Sequence, residues 1–476
     1  MPIYLLAPYA TRLIMAETVS YNNSATKRFA LLVTTLAAFL TPFGVSSVNI
    51  ALPSIGKEFS MDAILLSWIT NAYLLASATL LVPFGKIADM CGRKRIFTYG
   101  ITAFTLASVG CVASKSAAIL LCFRILQGVG SAAIYCVGAT ILTSLFPSRE
   151  LGKVLGINVA AVYLGSSLGP FLGGFLTHYL GWRSVFLVNV ILGFIVIVFI
   201  LWKLKGEWYE AGEKKFDLAG AVLYMVTLLS ILYGFSHLSS AFGVWLILLG
   251  GVGILSFIKW ETRTEYPVLD ITLFKKNRVL AFSSLATLIN YSATFAVTFL
   301  LSLYLQYLKK LTPGSAGLIL VSQPIVQAVV SPLAGRLSDR AEPRIVASIG
   351  MALTGVGLFL LALLDEQTPI GFIVVSLVVL GFGFALFSTP TIYGVMRSVE
   401  NRDYGVASGM LGTMRNVGMV FSMGITLWIF SIYIGEVQIT PETYPAFLKC
   451  AKMGFTFFAI LCFGGIFASL ARGKVR

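Results

Sequence analysis

Charge is scarce in this chain of 476 residues, and acidic charge is scarcer than basic charge. Charged residues make up 12% of the sequence, whereas an ordinary soluble domain carries about 25%. The chain has 20 acidic residues against 35 lysines and arginines, so its formal net charge is +15. A hydrophobic share of 57% and a mean hydropathy of +0.88 accompany this deficit. The composition excludes an ordinary soluble domain and is typical of a membrane protein.

Patterns that hold metals, nucleotides or catalytic groups are also missing from the sequence. The two histidines, His178 and His237, are far apart and form no metal motif. The six cysteines have no CxxC spacing, so we expect free thiols without a disulfide framework. No GxxxxGK[ST] string occurs, which excludes nucleotide hydrolysis by that route. We expect no catalytic residues, no metal and no cofactor, and an ion gradient as the energy source.

Long apolar runs fill most of the chain. A helix needs about 20 apolar residues to cross a bilayer, and barrel strands need only about 10 alternating ones. The runs therefore predict an all-α polytopic membrane protein with fourteen spans. They lie near residues 29–53, 65–85, 96–114, 117–145, 153–178, 184–203, 217–237, 242–260, 279–307, 314–335, 344–364, 370–396, 404–433 and 449–471.

Lysines and arginines concentrate in alternate connections between these runs. The second connection holds Lys86 and the triplet 93–95, for example, whereas the third holds only Lys115. The positive-inside rule then predicts a multi-pass protein of the cell membrane with both termini in the cytoplasm. It also explains the net charge without a nucleic-acid partner. Residues 1–28 form the N-terminal cytoplasmic segment, and Met15 is an alternative start to Met1.

The strongest motif connects the second and third spans and reads Gly85-Lys-Ile-Ala-Asp89-Met-Cys-Gly92-Arg93-Lys-Arg95. Gly85 allows two helices to approach closely, Asp89 can cap or pair at a helix end, and Gly92 turns the chain. A plain positive-inside loop is the alternative interpretation. The string resembles the signature loop of the major facilitator superfamily, which implies that Asp89 and Arg93 help to lock the outward-facing state and release it during transport.

A degenerate copy of this motif, from Gly335 to Asp339, follows the tenth span 250 residues later. The resemblance implies two six-helix bundles, residues 29–203 and 279–476, with a substrate cavity between them. Residues 204–278 would then hold two additional central helices with cytoplasmic linkers. We expect the transporter to be a monomer in the lipid bilayer.

Arg124 and Gln127 lie in the fourth span, where an ionised residue suggests a functional site. Snorkelling of Arg124 to an interface is the alternative. The string around these residues resembles the fourth-span motif of the superfamily, which implies a cavity-facing arginine linked to proton movement.

Small residues recur every four positions along the fifth span, where a proline kinks the helix. A generic face for close helix packing is one interpretation. The string also resembles the antiporter motif of drug exporters. Its members are Gly165, Gly169, Pro170, Gly173 and Gly174.

Weaker strings resemble the fourteen-helix drug–proton antiporters of the EmrB/QacA type, among them Asn49-Ile-Ala-Leu-Pro53, Trp182-Arg183 and Arg415-Asn-Val-Gly418. Those pumps usually carry an aspartate in the first span, where this chain has Gly44. No acidic residue falls near the middle of a predicted span. Proton coupling would then use Asp217 or Asp89 at the cavity mouth, or an unusual route. Arg124 and Arg415 favour a neutral or anionic substrate.

Uncharged polar and aromatic side chains in the spans are candidates for the cavity wall, although packing between helices explains any single one equally well. These are Asn71, Tyr73, Tyr135, Asn158, Tyr163, Asn290, Tyr291, Gln323 and Gln327.

The sequence thus predicts a secondary transporter that exports small amphipathic compounds by proton antiport. An importer or facilitator on the same fold is the first alternative. A lipid-handling protein or membrane enzyme is the remote one.

Overall fold

The computed structural model describes residues 24–204, 207, 216–238, 240–265, 267–268, 277–399 and 404–473. The predictions for residues 1–23, including the choice between Met1 and Met15, and for most of both linkers lie outside this part. Every regular element within it is helical, and fourteen helices are long and apolar enough to cross a membrane. The expected all-α fold with fourteen spans is confirmed.

We number the helices by span. They are α1 (Ser24–Phe59), α2 (Ala63–Cys91), α3 (Arg93–Ala113), α4 (Ala117–Leu145), α5 (Ser148–Leu180), α6 (Arg183–Lys203), α7 (Leu218–Ser236), α8 (Ala241–Glu261), α9 (Arg278–Leu303), α10 (Pro313–Leu320 and Ser322–Arg340, broken at Val321), α11 (Pro343–Ala362), α12 (Ile370–Ser398), α13 (Tyr404–Tyr433) and α14 (Tyr444–Leu470). A π-helical turn, Tyr304–Leu308, extends α9.

Several helices are longer than the apolar runs that predicted them. The first run ends at Pro53, for example, yet α1 continues to Phe59. The backbone still forms helical hydrogen bonds beyond the apolar stretch, so hydropathy marks the span and not the end of the helix. The break in α10 at Val321 has no signal in the hydropathy pattern.

Helices α1–α6 pack against one another, and helices α9–α14 form a second bundle. The two additional helices pair with each other, and α7 also contacts α2 and α13. Glycines allow the helices to cross most closely, because they have no side chain. A Cβ on Gly130 of α4, for example, would lie 2.6 Å from the Phe104 nitrogen of α3. Large aromatic side chains such as Phe97 and Phe186 fill the space that remains.

We call the end of the molecule that carries the α2–α3 connection the basic end, because Lys86 and the triplet 93–95 lie there. The end that carries the α1–α2 and α5–α6 connections is the opposite end. The two bundles meet at the opposite end and separate toward the basic end, and this arrangement positions the site.

Candidate functional site

A cavity of about 150 Å³ lies between the bundles near the middle of the helices. Six of the nine predicted cavity residues line it: Tyr73, Tyr135, Tyr163, Tyr291, Gln323 and Gln327. Helices α1, α2, α4 and α5 contribute one half of the wall, and α9, α10, α12 and α13 contribute the other. Hydroxyl groups, amides and aromatic rings make up most of this surface.

Arg415 is the one ionised side chain among the residues that line this central cavity, and no carboxylate lines it in the described part of the chain. Its guanidinium carbon lies 4.7 Å from the ring centre of Tyr135 and 6.0 Å from that of Tyr291. No described acidic residue forms an ion pair with it. The described lining of the central cavity therefore carries a single positive charge, with one tyrosine from each bundle beside it.

A second, larger cavity of about 1170 Å³ extends from the centre to the basic end. Asp89, Arg93 and Asn158 line it, and Asn158 donates a hydrogen bond to the Thr34 carbonyl at 3.2 Å. The two cavities share five lining residues: Tyr135, Val162, Tyr163, Tyr291 and Arg415. This shared layer separates the central cavity from the basic end.

Hydrogen bonds in this layer join the bundles. The Tyr163 hydroxyl of α5 bonds to the Ser388 hydroxyl of α12 and to the Tyr291 hydroxyl of α9. These side chains close the basic side of the central cavity.

Contacts between the bundles close the opposite end. Ser302 and Gln306 of α9 donate to the carbonyl groups of Asn49 and Ile50 in α1, at 2.8 and 3.0 Å. The Ala63 amide donates to the Val437 carbonyl at 3.0 Å. The described structure is therefore closed at one end and accessible from the other.

The antiporter-motif glycines of α5 have two different neighbours. Gly165, Gly169 and Gly173 pack against α1 within the first bundle, where a Cβ on Gly173 would lie 2.7 Å from Ser47 Cα. Gly174 instead packs against α10 of the second bundle, where a Cβ would overlap the Pro313 carbonyl oxygen.

Pro170, the remaining residue of this motif, lies where α5 meets both the cavity and α10. It lines the central cavity. Its carbonyl oxygen also contacts Gly317 of α10 so closely that a Cβ there would overlap it. One motif thus holds the first bundle together and seals it against the second.

Arg124 is fully buried inside the first bundle and does not line either cavity. Its Nε donates to the Ile69 carbonyl at 3.0 Å and its Nη1 donates to Gln127 Oε1 at 2.6 Å. The guanidinium also stacks on the Tyr73 ring at 4.4 Å, and Tyr73 does line the central cavity. Snorkelling is excluded, and the expected cavity-facing arginine lies one side chain behind the wall.

The signature loop forms the expected ion pair, with Arg93 Nη2 2.7 Å from Asp89 Oδ1. Gly92 has a φ of +108°, a conformation that favours glycine. A Cβ on Gly85 would have its nearest neighbour, Cys136 Cβ, 4.0 Å away. The expected close approach at Gly85 is therefore absent in this conformation, because a Cβ there would meet no atom of the described residues closer than this contact.

Sequence reasoning missed Glu207, which follows α6. Its carboxylate accepts hydrogen bonds from the backbone amides of Lys94 and Arg95, at 2.8 and 3.3 Å. The exposed amides at the start of a helix favour such a negative charge. No local pattern relates these residues, which are more than 110 positions apart.

Other predicted residues lie away from the cavities. Asp217 caps α7 through the Gly220 amide at 2.8 Å and accepts from Trp260 at 2.8 Å, so the cavity mouth was the wrong place for it. Asn71 and Asn290 are buried between helices and line neither cavity. Gly335 has Thr389 as its nearest neighbour, and the side chain of Asp339 lies outside the described part.

Position 44, where related pumps carry an acid, also faces away from the central cavity. A Cβ on Gly44 would lie 3.1 Å from the Asn189 amide nitrogen of α6 and 3.5 Å from the Phe104 ring. Thr41 and Val45 on the neighbouring face of α1 line the cavity instead. A carboxylate at position 44 of this backbone would point into the first bundle.

Two six-helix bundles around a central cavity that is closed at one end define a membrane transporter. The chain belongs to the Major Facilitator Superfamily, whose model matches residues 34–260 and 283–474. This confirms the resemblance of the motifs.

Curated relatives include the riboflavin transporter RibZ of Clostridioides difficile, 28% identical over 92% of this chain and 96% of that protein. Multidrug resistance protein Stp of Mycobacterium tuberculosis is 30% identical over 84% of this chain and 75% of its own length. Cephamycin export protein CmcT of Amycolatopsis lactamdurans is 31% identical, over 87% of each chain.

A solved structure with the same fold is a bacterial homologue of the human lysosomal transporter Spinster in an inward-facing, unoccupied conformation. Its TM-score is 0.66 at 15% identity, covering 94% of this chain and 98% of that one. At this identity the likeness concerns the fold alone.

Proposed function

We propose that this protein exports small amphipathic compounds across the cell membrane by alternating access, in exchange for protons. The observation that carries the proposal is a central cavity of mixed polar and aromatic character between two bundles that are sealed at one end only. Such a cavity suits an amphipathic molecule, and the seal can alternate between the two ends.

The α5 motif and the relatives support export as the direction of transport. The glycines of α5 and the adjacent Pro170 resemble the motif of exporters, and the relatives include proteins named for drug resistance and export. The basic end then faces the cytoplasm, as do both termini. The described conformation is inward-facing and loads its substrate from the cytoplasm or the inner leaflet.

The charges of the cavities disfavour cationic drugs. A buried carboxylate would attract a cation, but the described lining of the central cavity contains Arg415 and no acid. Cationic dyes are therefore poor substrates in this proposal.

Asp89 is our candidate for proton coupling. It is the acidic residue that lines the described cavities, and its partner Arg93 also contacts the Thr140 carbonyl of α4 at 3.4 Å. Protonation of Asp89 would weaken the 2.7 Å ion pair and free Arg93 at each turnover. Arg124 would act indirectly, by fixing Tyr73 in the cavity wall.

The test measures proton movement in everted vesicles with an acid interior, using cationic, neutral and anionic amphipathic compounds. Export by antiport predicts a collapse of the pH gradient that depends on the compound and is lost in Asp89→Asn. Glu436→Gln, at an exposed acid of the opposite end, should behave like the wild type.

An importer or facilitator would give a different result in the same vesicles. The compounds would equilibrate with no proton movement, and the Asp89→Asn variant would then not differ from the wild type in proton flux. That outcome would refute proton-coupled export.

A further inference from the structure

Arg415 is a cation that lacks a counter-charge in the described part of the protein. It lies in α13, is partly exposed to the central cavity and forms no ion pair with a described acid. A positive charge deep within a membrane protein is costly unless it is paired. An anion supplied by the ligand would provide the missing partner.

Two polar groups of residues that line the cavity also lack a hydrogen-bond partner in the described part of the chain, and both can donate. Gln327 and Tyr135 both line the cavity, and the Gln327 Nε2 atom and the Tyr135 hydroxyl have no hydrogen-bond partner among the described residues. Both groups can donate, as can the guanidinium of Arg415. A ligand that brings acceptor oxygens, as a carboxylate does, matches donors of this kind.

Flat surfaces surround these donors. Tyr135 of the first bundle and Tyr291 of the second lie on either side of Arg415, at 4.7 and 6.0 Å. Tyr291 is held edge-on by Phe384, with ring centres 5.3 Å apart. A rigid aromatic ligand can stack here with little loss of conformational freedom.

Size and charge limit the ligand further. A cavity of about 150 Å³ has the volume that accommodates roughly one benzene-sized ring, and the shared layer leads larger substituents toward the basic end. One cation balances one negative charge, so a monoanionic acid fits better than a phosphate dianion.

We propose that the central cavity selects planar aromatic monocarboxylic acids, with Arg415 binding the carboxylate and Tyr135 and Tyr291 holding the ring. This assignment rests on the proposed export function, because it names the substrate class of that cavity. Tyr135 and Tyr291 belong to different bundles, so a bound acid contacts both halves of the transporter.

Calorimetric titration of the purified full chain in lipid nanodiscs tests the assignment. The probes are benzoate, the neutral benzamide, the non-aromatic cyclohexanecarboxylate and the cationic benzylammonium. Charge-assisted bidentate bonds and ring stacking each predict that benzoate binds roughly tenfold to a hundredfold more tightly than the probe that lacks them.

Arg415→Gln should reduce the affinity for benzoate to that for benzamide. Arg415→Lys keeps the charge but loses the planar fork, so it should bind with intermediate affinity. The matched control is Arg397→Gln, because Arg397 lies 5.6 Å from the Tyr393 ring in α12 but does not line the central cavity. That variant should bind like the wild type.

Failure of this inference and failure of the proposed function give different results. Absent binding of benzoate, equal binding of benzoate and benzamide, or unchanged binding in Arg415→Gln overturns the aromatic-acid site. If the everted vesicles still take up a neutral compound in exchange for protons, the proposed function stands. Arg415-dependent binding of benzoate without proton-coupled transport of any compound would refute the function and leave the site.

Discussion

Gly174→Ala should shift the transporter away from the described conformation. The residue lies where α5 of the first bundle crosses α10 of the second, at the closed end. An added Cβ would overlap the Pro313 carbonyl oxygen and lie 3.3 Å from Gly317 Cα. These neighbours are backbone atoms, so a side chain cannot rotate away and the two helices must separate.

The size of the effect follows from the cost of an extra methyl group at a close-packed contact. Such overpacking costs about 1–3 kcal/mol. The bundles also separate at this point when the opposite end opens, so the cost falls on the described conformation and not on the alternative one. The ratio of the two populations should change by roughly 5-fold to 150-fold.

Cys136 provides a natural reporter of the change. It lines the large cavity at the basic end, and a variant that retains only this cysteine can be labelled with a water-soluble maleimide in everted vesicles. The labelling rate should fall in Gly174→Ala as the cavity closes. Gly156→Ala, in the same helix with no atom within 4 Å of the added Cβ, should label at the parent rate.

A second comparison separates conformation from stability. In Gly173→Ala, the added Cβ would overlap Ser47 within the first bundle. The variant should therefore have a lower Tm without selectively slower labelling of Cys136. If Gly174→Ala labels at the same rate as Gly156→Ala, the contact with α10 does not hold the opposite end closed and the reasoning is wrong.

Three further substitutions test single contacts. Gly44→Asp should not create ethidium efflux, because the new carboxylate faces Asn189 and not the cavity; uncoupler-sensitive efflux in a fluorescence assay would contradict this placement. Arg124→Ala should abolish transport while the protein still inserts, since it removes the support of Tyr73 at 4.4 Å; full activity in vesicles with matched protein levels would reject that role. Burial lowers the pKa of Arg472, and two of its nitrogen atoms lack a partner among the described residues. Arg472→Met should therefore raise Tm by on the order of 2 °C. A lower Tm in thermal unfolding would show that the charge stabilises the fold.

The fourteen helices and their repeat were predictable because a membrane span depends on local composition. About 20 apolar residues must be consecutive to cross the bilayer, so each span is visible without knowledge of its partners. The Asp89–Arg93 pair was visible for a similar reason, since both residues belong to one short motif around the turn at Gly92.

The division of roles within the α5 motif was not predictable. Consecutive helical residues point about 100° apart, so Gly173 and Gly174 contact different bundles. Glu207 was missed because its contact with the α3 amides spans more than 110 residues.

The sequence by itself thus determined the membrane class, the number of spans and the family, since each depends on composition and on short motifs. Only the tertiary structure decided whether Arg124 or Arg415 faces the cavity. Arg124 and Arg415 lie in similar apolar helices, yet the first is held inside one bundle and the second faces the space between both. That difference depends on how helices distant in sequence pack together, which no local pattern contains.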